Sequence, residues 1–200
     1  MKILVGISGS IGVLGIHAYL ISLLAQKEVE EVRAVMTPTA TRFVSPRALE
    51  ALIGKAVAVD PWTDSGKMVS PPELVQGADL YLIAPASATT LSRCASGSAE
   101  TLVSNCYLCF TGPVAFAPAM APEMWDHPAV RRNLDRLQQD GALILPAGVG
   151  FSAALGKSIK GALCAFPQMW PQLKSLVEKR QETLDPSKPL GDAELPSGKA

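Results

Sequence analysis

Apolar residues along this chain fall into short runs that alternate with longer amphipathic segments. Because buried strands and helices follow each other in turn, the pattern predicts an α/β fold, a three-layer sandwich on a mostly parallel sheet of the Rossmann-like or flavodoxin-like kind. The predicted strands cover residues 2–6, 31–36, 81–85, 114–117 and 142–145. The predicted helices are one carrying Ile16, Leu20, Leu23 and Leu24, then residues 41–53, 71–77, a helix from Thr90 to near Gly97, and residues 99–110, 128–139 and 168–180.

Two stretches lack this alternation. Residues 146–161 read PAGVGFSAALGKSIKG, which is small and weakly periodic, and we expect a loop with a functional role. The end of the chain is rich in Pro, Gly, Ser and charge, so we expect one domain over residues 1–181 and a disordered tail over residues 182–200.

Composition narrows the possible partners. The 200 residues are 48% hydrophobic, 18% charged and formally neutral, so charge gives no argument for binding nucleic acid or an anionic membrane. Such a lean polar surface favours a homo-oligomer. The first strand begins at once, without a signal-like segment, and no later apolar run is long enough to span a bilayer, so we expect a cytoplasmic protein.

The four cysteines are Cys94, Cys106, Cys109 and Cys164. Cys106 and Cys109 form a CxxC, yet no second pair or histidine cluster accompanies them. We therefore expect buried, reduced thiols on a helix and no metal; zinc or a redox dithiol is the alternative.

Small and hydroxyl residues follow the strands at the edge where α/β sheets bind ligands. GISGSIG at residues 6–12 is a glycine-rich turn with Ser8 and Ser10, of the kind that binds phosphate. Residues 37–39 read TPT, residues 85–90 read PASATT, and residues 118–125 read PAMAPEMW. In the second of these, Ser87 either faces a cofactor or only caps the following helix.

Taken in this order, GSI, PASATT and PAMAPEMW resemble the homo-oligomeric flavin-containing Cys decarboxylases, whose signatures run PASANT and PxMNxxMW. The resemblance extends over residues 2–161. It implies FMN, with FAD as the alternative, and a homotrimer that often stacks into dodecamers. It also implies a flavin site made of Gly9, Ser10, Ile11, Met36, Thr37, Pro38, Ser87, Ala88, Thr89, Thr90 and Ala119.

The same resemblance implies which residues face the substrate. Met120, Met124 and Trp125 would pack near the flavin ring, although filling the core is an equal alternative for each. FSAALGK at residues 151–157 is similar to the substrate clasp of the peptide enzymes and lacks the Cys of the ACGD-type stretch of coenzyme A enzymes. The implied substrate residues are Met120, Ala121, Met124, Phe151, Gly156 and Lys157, and Lys160 is a further candidate for the peptide carboxylate.

Three positions depart from the family pattern. Its catalytic His falls on Pro71, in PPEL, which transfers no proton. The Asn of PxMNxxMW is Ala121, and the Asn of PASANT is Thr89, which keeps a hydrogen-bonding group. His17 is expected at a packing surface, and His127 either touches substrate or caps a helix. The catalytic residues therefore stay unassigned.

The function implied is oxidative decarboxylation of the C-terminal Cys of a ribosomally made precursor peptide. In that chemistry the flavin oxidises the Cys side chain to a thioaldehyde, carbon dioxide leaves, and the aminoenethiol formed is a precursor of aminovinyl-cysteine. Two alternatives stay open: a flavin-binding regulatory paralogue, favoured by Pro71 and Ala121, and a phosphopantothenoylcysteine decarboxylase.

Overall fold

A computed structural model of the chain describes residues 1–59, 69–152 and 156–184. Its centre is a six-stranded parallel sheet with the order β3-β2-β1-β4-β5-β6. The apolar runs of β1, β4 and β5 are buried almost throughout because helices cover both faces of the sheet. The strands are β1 Lys2–Ile7, β2 Glu31–Met36, β3 Val57–Ala58, β4 Leu80–Ala86, β5 Val114–Pro118 and β6 Leu143–Ile144.

Helices form a layer on each face of the sheet, and each layer has its own core. On one face α1, α2 and α8 bury residues such as Leu20, Leu49 and Leu173. On the other face α3, α4, α5 and α7 bury residues such as Leu91 and Leu134. The helices are α1 Ile16–Leu24, α2 Pro46–Ile53, α3 Pro71–Val75, α4 Ala88–Ser96, α5 Leu102–Cys109, α6 Pro122–Trp125, α7 Pro128–Gln139 and α8 Phe166–Leu184, with 3-10 turns at Ile11–Gly15 and Ala40–Arg42.

This architecture confirms the predicted three-layer α/β sandwich. The direction of strand succession reverses between β1 and β4, and such a reversal opens a crevice at the carboxyl edge of the sheet. Within the described residues, no helix is both long and apolar enough to cross a membrane.

Two predicted helices begin later than expected. The segment predicted as one helix over residues 41–53 is helical only from Pro46, because Pro46 has no amide hydrogen and holds Ser45 extended, with ψ of 129°. The helix predicted from residue 99 begins at Leu102. Thr101 and Ser104 form a reciprocal capping pair there, in which each side-chain oxygen accepts the other's amide hydrogen, at 3.2 and 3.1 Å.

The prediction of a loop over residues 146–161 was wrong, since the chain forms an antiparallel hairpin of β7 Gly148–Ser152 and β8 Lys157–Ala162. Several glycines and small residues dilute the apolar alternation that normally marks strands. The short strand β3 was also missed, in what was predicted as a connection. Helix α8 continues to Leu184, past the predicted domain boundary, and residues 185–200 of the predicted tail lie outside the described residues.

The phenol ring of Tyr81, on β4, lies directly against Gly6 of the neighbouring strand β1. A methyl group on Gly6 would lie 2.6 Å from Oη of Tyr81. The ring is completely buried, and its hydroxyl donates a hydrogen bond of 2.9 Å to the carbonyl of Val103. The glycine is therefore required by this close approach rather than by its backbone angles.

We expect Gly6→Ala to lower the free energy of unfolding by about 2–4 kcal/mol, because the added methyl displaces Tyr81 and strands its buried hydroxyl. Urea denaturation measures this change. Gly15→Ala is the matched control, since Gly15 has helical angles and nothing within 4 Å of an added methyl. It should leave stability unchanged or raise it by up to about 1 kcal/mol. Equal effects of the two substitutions would contradict the proposed contact.

Candidate functional site

The carboxyl ends of four neighbouring strands form one rim. Ile7 is level with Met36 across β1 and β2, and Ala86 is level with Pro118 across β4 and β5. The segments that follow these strands therefore meet at the same edge of the sheet. These are the segments in which the sequence predicted a ligand site.

Ser8 ties the two halves of this rim together. Its hydroxyl is fully buried, donates to the carbonyl of Pro85 at 2.7 Å, and accepts from the amide of Ser87 at 2.8 Å. The amide of Ser8 also donates to the carbonyl of Pro85. Both hydrogen-bonding functions of this hydroxyl are used within the protein, so Ser8 holds the rim together instead of offering a group to a ligand. The sequence had suggested the second role.

Three of the segments converge on Gly12. An added methyl there would lie 3.0 Å from Cβ of Ala119, 3.4 Å from Oγ of Ser10 and 3.6 Å from Cβ of Pro85. Oγ of Ser10 is buried and has no hydrogen-bond partner. The Ser10 hydroxyl is therefore an unsatisfied polar group at the point where the segments meet.

The segment after β2 packs against the same loop. A methyl group on Gly9 would lie 2.5 Å from Cγ2 of Thr39, so the two loops touch through the bare glycine backbone. Met36 and Thr37 are buried, the latter with its Oγ1 accepting from the amide of Ala40 at 3.3 Å, and Pro38 is exposed. Of the three flavin residues predicted here, Pro38 alone opens toward solvent.

At the start of α4, the hydroxyl groups of Ser87 and Thr90 form hydrogen bonds within the helix itself. Ser87 caps it by accepting from the amide of Thr90 at 3.3 Å, and its hydroxyl donates to Oγ1 of Thr90 at 3.1 Å. The capping alternative is thus observed. Ala88 is half-buried and Thr89 is exposed, and their amides come first in the helix, where no intrahelical partner exists.

The segment after β5 is divided between core and surface. Ala119, Met120 and Trp125 are buried, and the guanidinium of Arg131 lies 5.5 Å from the centroid of the Trp125 ring. Ala121 is exposed, and Met124 exposes 47% of its surface. Met120 and Trp125 therefore fill the core here, while Met124 has a free side chain at the rim.

Hairpin β7–β8 is joined to this segment. The amide of Met120 donates to the carbonyl of Gly161 at 2.9 Å. The predicted substrate residues Gly156 and Lys157 are exposed on the hairpin, as is Lys160. Phe151 belongs to β7, and its side chain lies outside the described part of the structure.

The two family positions that lack their usual side chains lie at helix starts, Pro71 at the first residue of α3 and Ala121 just before α6. Pro71 begins α3, whose last carbonyls, those of Leu74 and Gln76, accept from the Arg33 guanidinium at 2.9 Å each. His127 is exposed and caps α7, with Nδ1 accepting from the amide of Ala129 at 3.2 Å. The capping alternative therefore holds for this histidine, and His17 is half-buried on α1.

The cysteines are free thiols, and the described residues contain no cluster fit to bind a metal ion. Cys94, Cys106 and Cys164 are buried as predicted, whereas Cys109 is exposed, so that part of the prediction was wrong. Burial raises the pKa of Cys94 and of Cys106 to about 12, and it also raises the pKa of Cys164.

Comparisons with known proteins show the family and the fold of this chain. A family model described as Flavoprotein matches residues 1–171. Among curated proteins, the coenzyme A biosynthesis bifunctional protein CoaBC of Bacillus subtilis is 37% identical over 143 residues, which are 70% of this chain and 35% of that protein. The chain thus spans about a third of the length of this relative.

Solved structures show the same fold. The FMN-dependent cysteine decarboxylase SpaF has a TM-score of 0.76 and 28% identity, with 90% of this chain and 97% of that one covered. A PPC decarboxylase complexed with pantothenoylaminoethenethiol has a TM-score of 0.73 and 27% identity, with 88% and 98% covered. The resemblance found in the sequence motifs is confirmed.

Substituting Ala for each of the two rim serines, Ser8 and Ser10, should change the free energy of unfolding by different amounts. Ser8→Ala leaves the Ser87 amide without its partner and removes one of the two hydrogen bonds to the Pro85 carbonyl, and should cost about 1–3 kcal/mol of unfolding free energy. Ser10→Ala removes a hydroxyl that has no partner, and should change stability by less than about 0.5 kcal/mol. Urea denaturation of ligand-free protein measures both. A larger loss for Ser10→Ala would show that its hydroxyl is bonded within the protein.

Thiol labelling should find one fast site per chain. At pH 8 a thiol with a pKa near 12 is ionised to about one part in ten thousand, so Cys94 and Cys106 react only after unfolding. Exposed Cys109 should react with a disulfide reagent within minutes, and Cys109→Ser should abolish that phase. Two or more fast equivalents in the native protein would refute this assignment.

Proposed function

Because this chain belongs to the Flavoprotein family, we propose that it is a flavin-dependent decarboxylase acting on the C-terminal Cys of a ribosomally made precursor peptide. The product would be an aminoenethiol suited to aminovinyl-cysteine formation. The observation that carries the flavin part is the close approach of Ser10, Pro85 and Ala119 around Gly12, where the buried Ser10 hydroxyl has no partner.

The residues at the rim fit a flavin phosphate and its polar side chain. Ser10 supplies an unused hydroxyl, and Gly9 and Gly12 let the loop that carries it pack closely against Thr39 and Ala119. Ala88 and Thr89 add the first amides of α4, and the exposed Thr89 adds a hydroxyl. Ile11, Pro38 and Ala119 would line the same pocket with apolar surface.

FMN is the flavin that we propose, since the similar structure SpaF is described as FMN-dependent. When bound, a flavin supplies a two-electron oxidation, which allows the Cys residue to lose carbon dioxide and two hydrogens as an aminoenethiol forms. The protein's own residues would bind the cofactor and the peptide and orient them relative to each other. A reoxidant such as oxygen is then required for turnover.

The proposal of a peptide substrate depends on the hairpin. In the coenzyme A enzymes of the family that this chain resembles, a Cys in an ACGD-type stretch reprotonates the product, whereas residues 151–157 contain no Cys. Cys164 follows the hairpin but is completely buried, and its Sγ lies 3.7 Å from the carbonyl of Ala165. Its raised pKa and burial make it unsuitable as a proton donor at the rim. Lys157, exposed on β8, is available for a peptide carboxylate.

With Pro71 and Ala121 at the family's His and Asn positions, the described rim supplies no side-chain base at these two points. We propose that the substrate thiol, whose ordinary pKa is about 8.5, loses its proton to water or to the flavin. His127 takes no part in this proposal, because it is engaged in capping α7.

Two other functions have support. Curated relatives include CoaBC proteins, such as that of Bacillus subtilis, which favours a phosphopantothenoylcysteine substrate. The loss of the His and Asn side chains favours a flavin-binding protein without catalysis. Both would use the same rim, so an assay must separate them.

We further propose a homo-oligomer, a trimer or a dodecamer built from trimers. Its support is exposed apolar surface after β1, where Ile11 and Leu14 of the 3-10 turn and Ile21 of α1 expose 70%, 57% and 54% of their surfaces. Light scattering of the purified protein tests this assembly.

The purified protein should be yellow and should release FMN on denaturation, with FAD as the alternative outcome of chromatography. Incubated with Cys-terminated precursor peptides, it should produce a mass loss of about 46 units, equal to carbon dioxide plus two hydrogens. A peptide ending in Ser is the matched control. Ser10→Ala should weaken flavin binding by about tenfold, as expected for one hydrogen bond to a charged group.

His127→Gln serves as a control for the missing base, and peptide turnover should survive it. Conversion of phosphopantothenoylcysteine instead of the peptides would select the coenzyme A reaction. Bound flavin with no conversion of either substrate would select the non-catalytic protein and overturn the proposed reaction.

A further inference from the structure

Two adjoining grooves lie at the amino edge of the sheet, opposite the rim. The first has a volume of about 330 Å³ and lies before β4 and β5, where Asp79 and Pro113 line it. The second has a volume of about 290 Å³ and lies before β5 and β6, where Asp140 lines it. Because Thr111 and Gly112 line both, the two form one continuous feature, the amino-edge groove.

The second part of this groove has an aromatic lining. Tyr107 and Phe110 line it and are half-buried. The ring of Phe110 packs over Gly112, since a methyl group on that glycine would lie 2.5 Å from Cζ of the ring. Leu108 lines the same part and exposes 49% of its surface, and Asp140 beside it is exposed. Grooves with aromatic walls are the kind that binds proline-rich segments.

Helix α8 brings the chain to this groove. Val177, Arg180 and Gln181, in its last turns, line the first part. The guanidinium of Arg180 donates to the carbonyl of Thr111 at 3.3 Å, at the place where the two parts of the groove join. The helix ends at Leu184, which lies roughly 6 Å further along its axis than Arg180 at a rise of 1.5 Å per residue. The segment after α8 therefore begins beside the groove.

That segment has a sequence suited to an aromatic groove. Residues 186–189 read PSKP, and only Asp185 separates them from the end of α8. Two prolines three residues apart lie on the same edge of a polyproline II helix, which has three residues per turn and needs no core of its own. Four residues of it span roughly 9–12 Å, about the width of three neighbouring strands. Lys188 adds a positive charge that complements Asp140.

We propose that residues 186–189 bind in the amino-edge groove of their own chain as a polyproline II segment. The two prolines pack on Tyr107 and Phe110, and Lys188 lies beside Asp140. Because the tether is a single residue, the effective concentration of the segment at the groove is high, and modest contacts are enough to hold it. This interaction lies at the edge opposite the proposed flavin site and does not rest on the proposed function.

Cross-linking within the full chain tests this docking. Cys109 is exposed and lies between two residues that line the groove, whereas the other three cysteines are buried. With Ser187→Cys, a short bismaleimide should link the introduced thiol to Cys109. Adding Pro186→Ala and Pro189→Ala should slow this linking at least tenfold, because the tether keeps its length but loses its polyproline II preference. Equal rates with and without the prolines would overturn the proposal.

The ion pair has a matched control on α7. Asp140→Asn should slow the linking about threefold, as expected for the loss of a surface ion pair. Asp135→Asn should leave the rate unchanged, since Asp135 is exposed on α7 and lies outside the lining of the groove. An equal effect of the two substitutions would contradict the placement of Lys188.

The mass of the cross-linked product identifies the occupant of the groove. A product with the mass of one chain supports docking within the chain, and an excess of a synthetic peptide of residues 185–191 should slow its formation. A product of two linked chains would show that the segment of a second copy fills the groove, and would overturn the proposal. Bound flavin should be the same in every variant, because both cores lie outside the substituted residues of the tail.

Discussion

The hydroxyl of Ser8 is the constraint on which the rim depends. It joins β1 to β4 at the point where strand succession reverses, by donating to Pro85 and accepting from Ser87. A crevice opens at such a point because the two following connections leave in opposite directions. The hydrogen bonds of Ser8 hold the start of α4 at a fixed position relative to the loop that carries Ser10. One buried side chain thus fixes where both can meet a ligand.

Around this bond the site is formed largely by residues with no side chain or a very small one. Gly9 and Gly12 let the loop pack directly against Thr39 and Ala119, whose side chains lie where a Cβ atom on either glycine would be, and Ala121 presents only a methyl group. Such a surface provides shape, amides and one unpartnered hydroxyl, but little acid or base chemistry. That balance suits a protein that holds a reactive cofactor and leaves the chemistry to it.

The sequence predicted most where strong local signals coincide with the final contacts. Apolar runs located β1, β2, β4 and β5, and Pro128 at the first position of α7 set the start of that helix correctly. Prediction failed where an interaction lies elsewhere in the chain or is made by backbone alone. The hairpin was missed because glycines hide its alternation, and the start of α2 was placed too early because Pro46 lies within an otherwise helical pattern.

For the site, the motifs indicated the correct segments but not how each residue is used. Ser8 and Ser10 are equivalent in the sequence, and only the fold shows that one is fully bonded and the other has no partner. The roles assigned to the individual flavin and substrate residues stay predictions. The contact of Gly161 with the backbone of Met120 carried no signal in the sequence, because the two residues lie far apart in the chain.

The contact between Gly6 and Tyr81 has a consequence beyond this chain. The aromatic ring occupies the volume that a side chain at position 6 would need, so the two positions share a fixed amount of space inside the sheet. In related proteins, a larger residue at the first position is then expected to occur with a smaller one at the second. Such paired variation would reveal the adjacency of β1 and β4 from sequences alone.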